Sequence, residues 1–175
     1  MRQVADASRI NAVLDRLGRA TSARVRIYLT GGATAVLHGW RASTIDVDLK
    51  LVPDDDALLR AMPRLKEELH VNLELAAPDQ FIPALPGWEE RSLFVTQIGS
   101  VSVYHYDPYS QALAKIERRH EQDLDDAQRM VEAGLVDSAR LLQLFAAIEP
   151  QLYRYPAVDP ASFRRAVESF VAGSR

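Results

Sequence analysis

The sequence feature that most limits the possible folds is an apolar stretch that carries two aspartates two residues apart. Asp46 and Asp48 alternate with Ile45, Val47 and Leu49. Because successive side chains of a β-strand point to opposite faces, this alternation predicts a strand with one acidic face and one apolar face directed at the core. Two neighbouring carboxylates repel each other unless a cation neutralises them. The stretch therefore predicts either a site for a hard divalent cation, Mg²⁺ or Mn²⁺, or a solvated strand face with two unrelated acids.

A pair of glycines precedes this stretch and adds a second constraint. Residues 26–30 have the pattern of a strand, Gly31 and Gly32 interrupt it, and residues 33–40 favour a short helix. Glycine lets a phosphate approach backbone N–H groups, and the helix that follows offers its positive end to the same anion. The alternative is an ordinary strand-to-helix turn. Combined with a cation site, such a turn would meet the needs of nucleoside triphosphate binding.

The composition excludes several other kinds of site. The chain has 175 residues, 47% hydrophobic and 26% charged, which suits one buried core in a globular protein. The absence of cysteine excludes disulfides, thiolate zinc sites and thiol nucleophiles. The formal net charge of −3 gives no global attraction to nucleic acid or membrane. Without a signal core or an apolar run of about 20 residues, we expect a cytoplasmic protein with no membrane partner.

Helical and strand patterns alternate along the chain. Helical spacing and capping signals predict helices at residues 3–20, 33–40, 55–69, 108–133, 137–148 and 161–171, with Asp54, Asp107 and Asp159 as N-caps. Alternation predicts strands at residues 26–30, 44–52, 71–75, 93–98 and 101–106, the last two joined as a hairpin. This order indicates an α/β (α+β) fold, a mixed sheet flanked by helices. Residues 1–110 would form the core and residues 111–175 a helical part packed on it.

The glycine turn and the aspartate strand together look like the signature of the nucleotidyltransferase superfamily. Residues 29–33 (Leu-Thr-Gly-Gly-Ala) and 38–49 match its pattern of a turn, a helix and a strand with Asp-x-Asp. Arg41 and Thr44, just before the first aspartate, resemble the AbiEii/AbiGii-type branch, which is linked to toxin–antitoxin and phage-defence systems. Further segments resemble an uncharacterised bacterial set of the superfamily, namely residues 74–76 with 81–83 and residues 105–109 with Lys115.

The resemblance implies a metal-dependent nucleotidyl transfer. Asp46 and Asp48 would hold Mg²⁺ on the triphosphate and promote attack by a hydroxyl. Such enzymes use a third carboxylate on a neighbouring strand as ligand or base, and Glu74 matches that position, where the superfamily more often has aspartate. Asp79 is the alternative third acid. Glu74 could equally be a solvent-facing residue of its strand.

The resemblance also implies the residues that bind the nucleotide, which are Thr30, Gly31, Gly32, Arg41, Thr44 and Lys115. Arg41 could clamp a phosphate with two hydrogen bonds, and Thr44 could fix the loop. The alternative is that Arg41 pairs with Asp46 or Asp48 for structural reasons.

A charged cluster in the predicted helix 108–133 supplies the last candidates. Lys115, Arg119 and Asp123 step by four residues and would line one helical stripe. In the AbiEii-type branch a helical lysine and a later aspartate complete the site. Lys115 would then contact the triphosphate, and Asp123 would orient Lys115 or assist deprotonation. The alternative is an exposed helix with i,i+4 ion pairs.

The leading prediction is a Mg²⁺-dependent nucleotidyltransferase that moves a nucleoside monophosphate from an NTP to an acceptor hydroxyl. The acceptor would be an RNA, such as a tRNA end, or a protein side chain, and the enzyme could be the toxin of a pair with a cognate antitoxin. One alternative is a non-catalytic nucleotide-binding or partner-binding member of the same fold. Another is an interaction protein whose acidic strand binds a basic partner.

Overall fold

The computed structural model describes residues 3–174, and these form a mixed α/β structure. Its elements are α1 Ala7–Ala20, β1 Val25–Thr30, α2 Gly31–Leu37, β2 Asp46–Val52, α3 Asp56–Leu69, β3 Asn72–Leu75, α4 Trp88–Arg91, β4 Leu93–Ile98, β5 Val101–His105, α5 Pro108–Arg118, α6 Glu121–Glu132, α7 Ser138–Ile148 and α8 Pro160–Gly173. Two 3₁₀ segments, Pro78–Gln80 and Glu149–Arg154, complete the list. The predicted fold class, a mixed sheet flanked by helices, is confirmed.

The five strands pair in the order β3-β2-β1-β5-β4. The central strand β1 runs antiparallel to β2 and parallel to β5. The sheet is completed by β3, parallel to β2, and by β4, antiparallel to β5. The predicted hairpin of β4 and β5 is therefore confirmed, and β3 and β4 are the two edges of the sheet.

Alternation along β2 separates the core from the acidic face. Val47, Leu49 and Leu51 are buried among core residues on the side of the sheet where α1, α2 and α3 pack, whereas the intervening residues are half-buried. The expectation that Ile45 also points to the core is wrong, since its side chain is 72% exposed. β2 begins only at Asp46, and Thr44 pairs with Ala5, so Ile45 lies between this pairing and the strand and outside the alternation of β2.

The predicted helix 108–133 is in fact two helices, α5 and α6. Arg119 ends α5 in the left-handed conformation, with φ of 60°, and His120 precedes α6. The two helices pack against each other. Because Arg119 is not a glycine, the usual signal for the end of a helix is missing at this position. Lys115, Arg119 and Asp123 therefore do not share one helical stripe.

Most capping predictions are confirmed. Asp107 and Asp159 accept hydrogen bonds from backbone N–H groups at the starts of α5 and α8. For α3 the cap is Asp55, whose carboxylate accepts the Leu58 N–H at 2.9 Å, and not Asp54 as predicted. Because three aspartates follow one another here, the path of the backbone determines which of them caps the helix.

The chain divides into two compact units. The first contains residues 3–77 and Ser92–Tyr106, with the whole sheet and α1 to α3; the second contains Pro78–Arg91 and residues 107–174, with α4 to α8. Phe145 and Phe163 meet edge to face in the core of the second unit, with ring centroids 4.9 Å apart. The division expected between residues 110 and 111 stays a prediction. None of the helices described is long and apolar enough to span a bilayer.

Candidate functional site

Three acidic residues that were predicted to belong to the site lie on two adjacent strands, on the sheet face opposite α1, α2 and α3. Asp46 and Asp48 lie two residues apart on β2, and both are half-buried. Asp48 is in register with Thr30 on β1 and with Glu74 on β3, while Asp46 is in register with Asn72. Paired residues of neighbouring strands project from the same face at a strand spacing of about 4.8 Å. Asp46, Asp48 and Glu74 therefore form one acidic corner of the sheet.

An amide side chain links two of these carboxylates. The Asn72 Nδ2 group donates to Asp46 Oδ1 and, at 2.8 Å, to Glu74 Oε1. A neutral donor between two carboxylates reduces their repulsion without supplying a positive charge. Asn72 was not among the predicted site residues, although its i,i+2 spacing from Glu74 in the sequence was the available signal.

Gly31 and Gly32 lie in the first turn of α2, and Gly31 allows this turn to approach Asp48 closely. Its φ is +58°, and a Cβ atom there would lie 3.2 Å from Asp48 Oδ2. The position favours glycine both for its backbone conformation and for the space beside the carboxylate. A side chain at Gly31 would therefore crowd this oxygen of Asp48.

Gly32 brings the other loop residues beside the same turn. A Cβ atom at Gly32 would overlap the side chain of Thr44 and lie 3.5 Å from an Nη atom of Arg41. The turn, Arg41, Thr44 and the aspartates are thus neighbours, as the sequence motif implied. Because α2 has only seven residues, the backbone of the turn matters more here than a helix dipole.

Two threonine hydroxyls of the candidate set bind the backbone. Thr44 donates to the backbone carbonyl of Asp46 at 3.1 Å, which fixes the entry to β2. Thr30 is buried and donates to the carbonyl of Ala76 at 3.1 Å, which ties the end of β1 to the chain after β3. These contacts hold the two sides of the acidic corner in place, and direct nucleotide contacts of Thr30 and Thr44 stay predictions.

A stack of rings that the sequence analysis did not predict lies near the end of α2. The His38 ring stacks on Trp40, with centroids 4.6 Å apart, and on His105, at 4.4 Å. His105 Nδ1 lies 3.1 Å from the hydroxyl of Thr34, and burial, with a smaller contribution from His38, lowers the pKa of His105 to about 4. His105 is therefore neutral at pH 7. In β5 it alternates with the half-buried Tyr104 and shares the helix-covered face, away from the acidic corner.

The remaining candidates lie in the second unit. Lys115 Nζ contacts Asp123 Oδ1 at 3.3 Å and Asp126 Oδ2 at 2.8 Å, and all three residues are buried. The exposed Arg118 lies 3.4 Å from Asp123. This buried cluster is not the exposed row of i,i+4 pairs that was the alternative, and Asp126 was missed although it follows Asp123 at helical spacing. Asp79, the alternative third acid, lies in a 3₁₀ segment outside the sheet.

The acidic corner suits a cation that arrives with a substrate. Within residues 3–174, no group of three or more His, Asp or Glu side chains is arranged to hold a metal ion by itself. Mg²⁺ commonly takes one or two protein carboxylates and completes its shell with phosphate oxygens and water. Asp46 and Asp48 are hard oxygen donors of this kind. The residues therefore fit Mg²⁺ or Mn²⁺ bound together with a triphosphate.

Comparison with known proteins identifies one family. A family model described as "Nucleotidyltransferase of unknown function (DUF6036)" matches residues 8–170, which is most of the chain. No curated protein and no solved structure matches. The matched range includes the aspartate-bearing strand and the Lys115 cluster.

Proposed function

The chain belongs to the DUF6036 family of nucleotidyltransferases, and from this premise we propose that it transfers a nucleoside monophosphate from an NTP to an acceptor hydroxyl. The observation that carries the proposal is the position of Gly31 beside the Asp46/Asp48 pair. It combines a turn open to phosphate with two carboxylates that can hold the cation of that phosphate. The cofactor is Mg²⁺ or Mn²⁺.

The carboxylates of Asp46 and Asp48 would hold the cation against the triphosphate. When bound, a divalent ion neutralises phosphate oxygens and lowers the pKa of an attacking hydroxyl. A new bond forms between the acceptor oxygen and the α-phosphorus, the bond to the leaving oxygen breaks, and pyrophosphate and the acceptor proton are released. Gly31 contributes by leaving room for a phosphate oxygen next to Asp48.

Glu74 is the third carboxylate of the proposal. Its side chain is exposed, is in register with Asp48, and accepts a hydrogen bond from Asn72. In this position it can serve as a further cation ligand or accept the proton of the acceptor hydroxyl. Asn72 acts as a positioning residue, because it holds Glu74 and Asp46 at a fixed separation.

The nucleotide would bind along the turn and the loop that follows α2. Arg41 lies beside Gly32 and offers a planar guanidinium for two hydrogen bonds to a phosphate. The backbone of Gly31 and Gly32 binds the same anion, and Thr30 and Thr44 hold the flanking chain in place. The base of the nucleotide is not assigned to any side chain.

Lys115 and Asp123 complete the proposed set. The ion pair between them supports the part of the proposal in which Asp123 orients Lys115. The second partner, Asp126, and the burial of all three residues favour a structural role for the same lysine. Contact of Lys115 with the triphosphate is the finer proposal that comes from the AbiEii-type resemblance.

Labelled NTPs test the proposed activity directly. The purified protein is incubated with each of the four α-labelled NTPs, with total RNA or cell lysate, in Mg²⁺ and in EDTA. We expect label transfer that needs Mg²⁺ and is lost in Asp46→Ala/Asp48→Ala. Asp54→Ala, which changes an exposed aspartate that makes no N-cap, is the matched control and should keep the activity.

Two other outcomes contradict the proposed activity. NTP-dependent stabilisation that needs Mg²⁺ and both aspartates, without label transfer to any acceptor, would identify a non-catalytic nucleotide-binding protein. Equal stabilisation of wild type and double variant by Mg²⁺-NTP would remove the metal site from the proposal.

A toxin role in a defence pair is a separate part of the proposal, since it follows from the AbiEii/AbiGii resemblance. Expression of the wild type in a bacterial host should slow growth, and Asp46→Ala/Asp48→Ala should relieve the effect. Unchanged growth at an expression level matched by immunoblot would exclude toxicity in that host. A cognate antitoxin would then have no role there.

A further inference from the structure

The sheet face that carries Asp48 continues across the sheet as a row of aromatic side chains. Tyr28 on β1, Tyr104 on β5 and Phe94 on β4 are paired in register, so they project from one face. On the other side of Tyr28, the register places Lys50, two residues after Asp48 on β2. We call Tyr28, Tyr104 and Phe94 the aromatic row.

The aromatic row is ordered and ends in an exposed ring. Tyr28 and Tyr104 stack with centroids 5.4 Å apart, and Phe94 meets Tyr104 edge to face at 5.7 Å. Tyr28 is buried, Tyr104 is half-buried, and Phe94 is 61% exposed. A single exposed phenylalanine is unremarkable, but here its neighbours fix the ring at the free edge of the sheet.

Two cations lie on the same face as the aromatic row. The exposed Arg26 precedes Tyr28 by two residues, and its guanidinium carbon lies 6.0 Å from the centroid of that ring. Lys50 lies between the row and the acidic corner. Phe94 is three strand spacings from the strand of Asp48, or about 14 Å. Across this face of the sheet, the acidic corner is followed by the positive charges and then by the rings of the aromatic row.

We propose that the aromatic row and its two cations bind a single-stranded nucleic acid. Bases stack on Phe94 and Tyr104, and the phosphates lie against Arg26 and Lys50, which is how proteins bind single strands without reading their sequence. Arg26 and Lys50 place two positive charges beside the aromatic row, and these favour a polyanion over an apolar protein surface. The inference deepens the proposed function, on which it rests for the chemical step, by making the acceptor a nucleic acid strand whose end reaches the acidic corner.

Binding is tested without NTP or metal, so that it does not depend on catalysis. Fluorescence anisotropy with a labelled eight-nucleotide RNA, in EDTA, should show binding that Phe94→Ala weakens at least fivefold, the lower end of the effect of losing one stacked base. Phe94→Trp should keep or strengthen the binding. Tyr153→Ala is the matched control, because Tyr153 is an exposed aromatic residue of the second unit, 74% accessible.

The charge contribution has its own variant. Arg26→Gln should weaken binding and reduce the slope of log K against log salt by about one, the value for one lost phosphate contact. Arg60→Gln, which changes an exposed arginine of α3, should leave the slope unchanged. Circular dichroism and thermal melting verify that each variant is folded.

Four results would overturn the inference. The first two are that the wild type does not bind the oligonucleotide and that Phe94→Ala binds it as tightly as the wild type does. The other two are that a duplex binds as tightly as the single strand and that the wild type self-associates while Phe94→Ala is a monomer. The double variant Asp46→Ala/Asp48→Ala separates the two proposals, since it should still bind RNA in EDTA. RNA binding without any NTP binding would contradict only the proposed function, and NTP binding without RNA binding would contradict only this inference.

Discussion

Two pairs of aspartates in this protein have opposite surroundings. Asp46 and Asp48 lie half-buried on a strand face, where Asp46 is hydrogen-bonded by a neutral amide. Asp123 and Asp126 lie buried in the second unit, where both contact the ammonium of Lys115. A buried carboxylate needs an opposite charge to offset its lost hydration, whereas a half-exposed one keeps water and can exchange it for a ligand.

The comparison teaches that the number of acids in a cluster does not identify a ligand site. Both pairs contain two aspartates at a spacing that places them on one face, of a strand in one case and of a helix in the other. Their exposure distinguishes them, since the first pair is half-buried and the second is buried. We therefore propose that the first pair binds the substrate cation, and we expect the second pair to stabilise the packing of α5 on α6.

The largest expected effect is on activity at the first pair. Asp46→Ala/Asp48→Ala should lower transfer by at least about 10³-fold, since the contribution of a catalytic cation is worth several kcal/mol. The free energy of unfolding should change by no more than about 1 kcal/mol, because the carboxylates are half-exposed. Labelled-NTP assays and urea denaturation measure the two effects. A loss of unfolding free energy as large as that expected for Lys115→Met would contradict the proposed difference between the two aspartate pairs.

The second pair should show the reverse pattern. Lys115→Met removes the buried ammonium that contacts both Asp123 and Asp126 and should lower the free energy of unfolding by about 3–5 kcal/mol. The triple variant Lys115→Met/Asp123→Asn/Asp126→Asn removes the uncompensated charges and should recover part of that loss. Urea denaturation measures both variants. Full stability of Lys115→Met, combined with lost NTP binding, would instead place this lysine at the triphosphate.

His105 tests what burial does to the pKa of a titratable group that lies beside a threonine hydroxyl and a second histidine ring. Its pKa is lowered to about 4 in the folded protein, first by burial and then by His38, while the unfolded chain takes up a proton near pH 6.5. The contribution of neutral His105 to the free energy of unfolding is therefore fully present above about pH 6.5. It falls by about 3 kcal/mol as the pH is lowered to 4. The stability difference between wild type and His105→Asn, measured by urea denaturation from pH 4 to 7, should follow this curve. A difference independent of pH would contradict it.

Gly31 tests whether access to Asp48 matters for the ligand. Gly31→Ala should cost about 1–2 kcal/mol of stability, because its φ is left-handed, and should weaken Mg²⁺-NTP binding, because the new Cβ narrows the space at Asp48 Oδ2. Gly134→Ala, in the second unit, is the matched control, with φ of +71° and, among the described residues, no atom within 4 Å of its Cβ. It should show a similar stability loss with unchanged NTP binding. Equal NTP affinities of the two variants would exclude the proposed access route.

The smallest expected effect is at the outer cation of the second cluster. Arg118 is exposed and lies 3.4 Å from Asp123, so Arg118→Gln should lower the free energy of unfolding by less than about 1 kcal/mol. Urea denaturation of Arg118→Gln and of Lys115→Met compares an exposed and a buried cation that both contact Asp123. An effect of Arg118→Gln as large as that of Lys115→Met would mean that exposure does not decide the strength of these pairs.

Several features were predictable because they depend on neighbours in the sequence. The alternation around Asp46 and Asp48, the hairpin of β4 and β5, and the caps Asp107 and Asp159 all follow from local spacing and local hydrogen bonds. The Gly-Gly motif likewise indicated the turn beside the aspartates. These signals were sufficient for the fold class, whereas the roles of the candidate residues stay predictions.

Other features depended on residues far apart in the chain. The break after α5 uses a left-handed Arg119 without a glycine signal, and it brings Lys115 to Asp126 on another helix. The contact of Asn72 with Asp46 depends on which strands become neighbours. No periodicity within one segment specifies such pairings.

The sequence by itself determined the local elements of this protein: an acidic strand, a glycine turn beside it, and the ends of most helices. Only the tertiary structure decided that Asp123 is buried against Lys115, that Ile45 is exposed, and that aromatic residues of three strands form one row. The physical reason is that burial and strand register arise from the packing of distant segments. An aspartate can therefore suit a ligand site at one position in the fold and stabilise the packing of two helices at another.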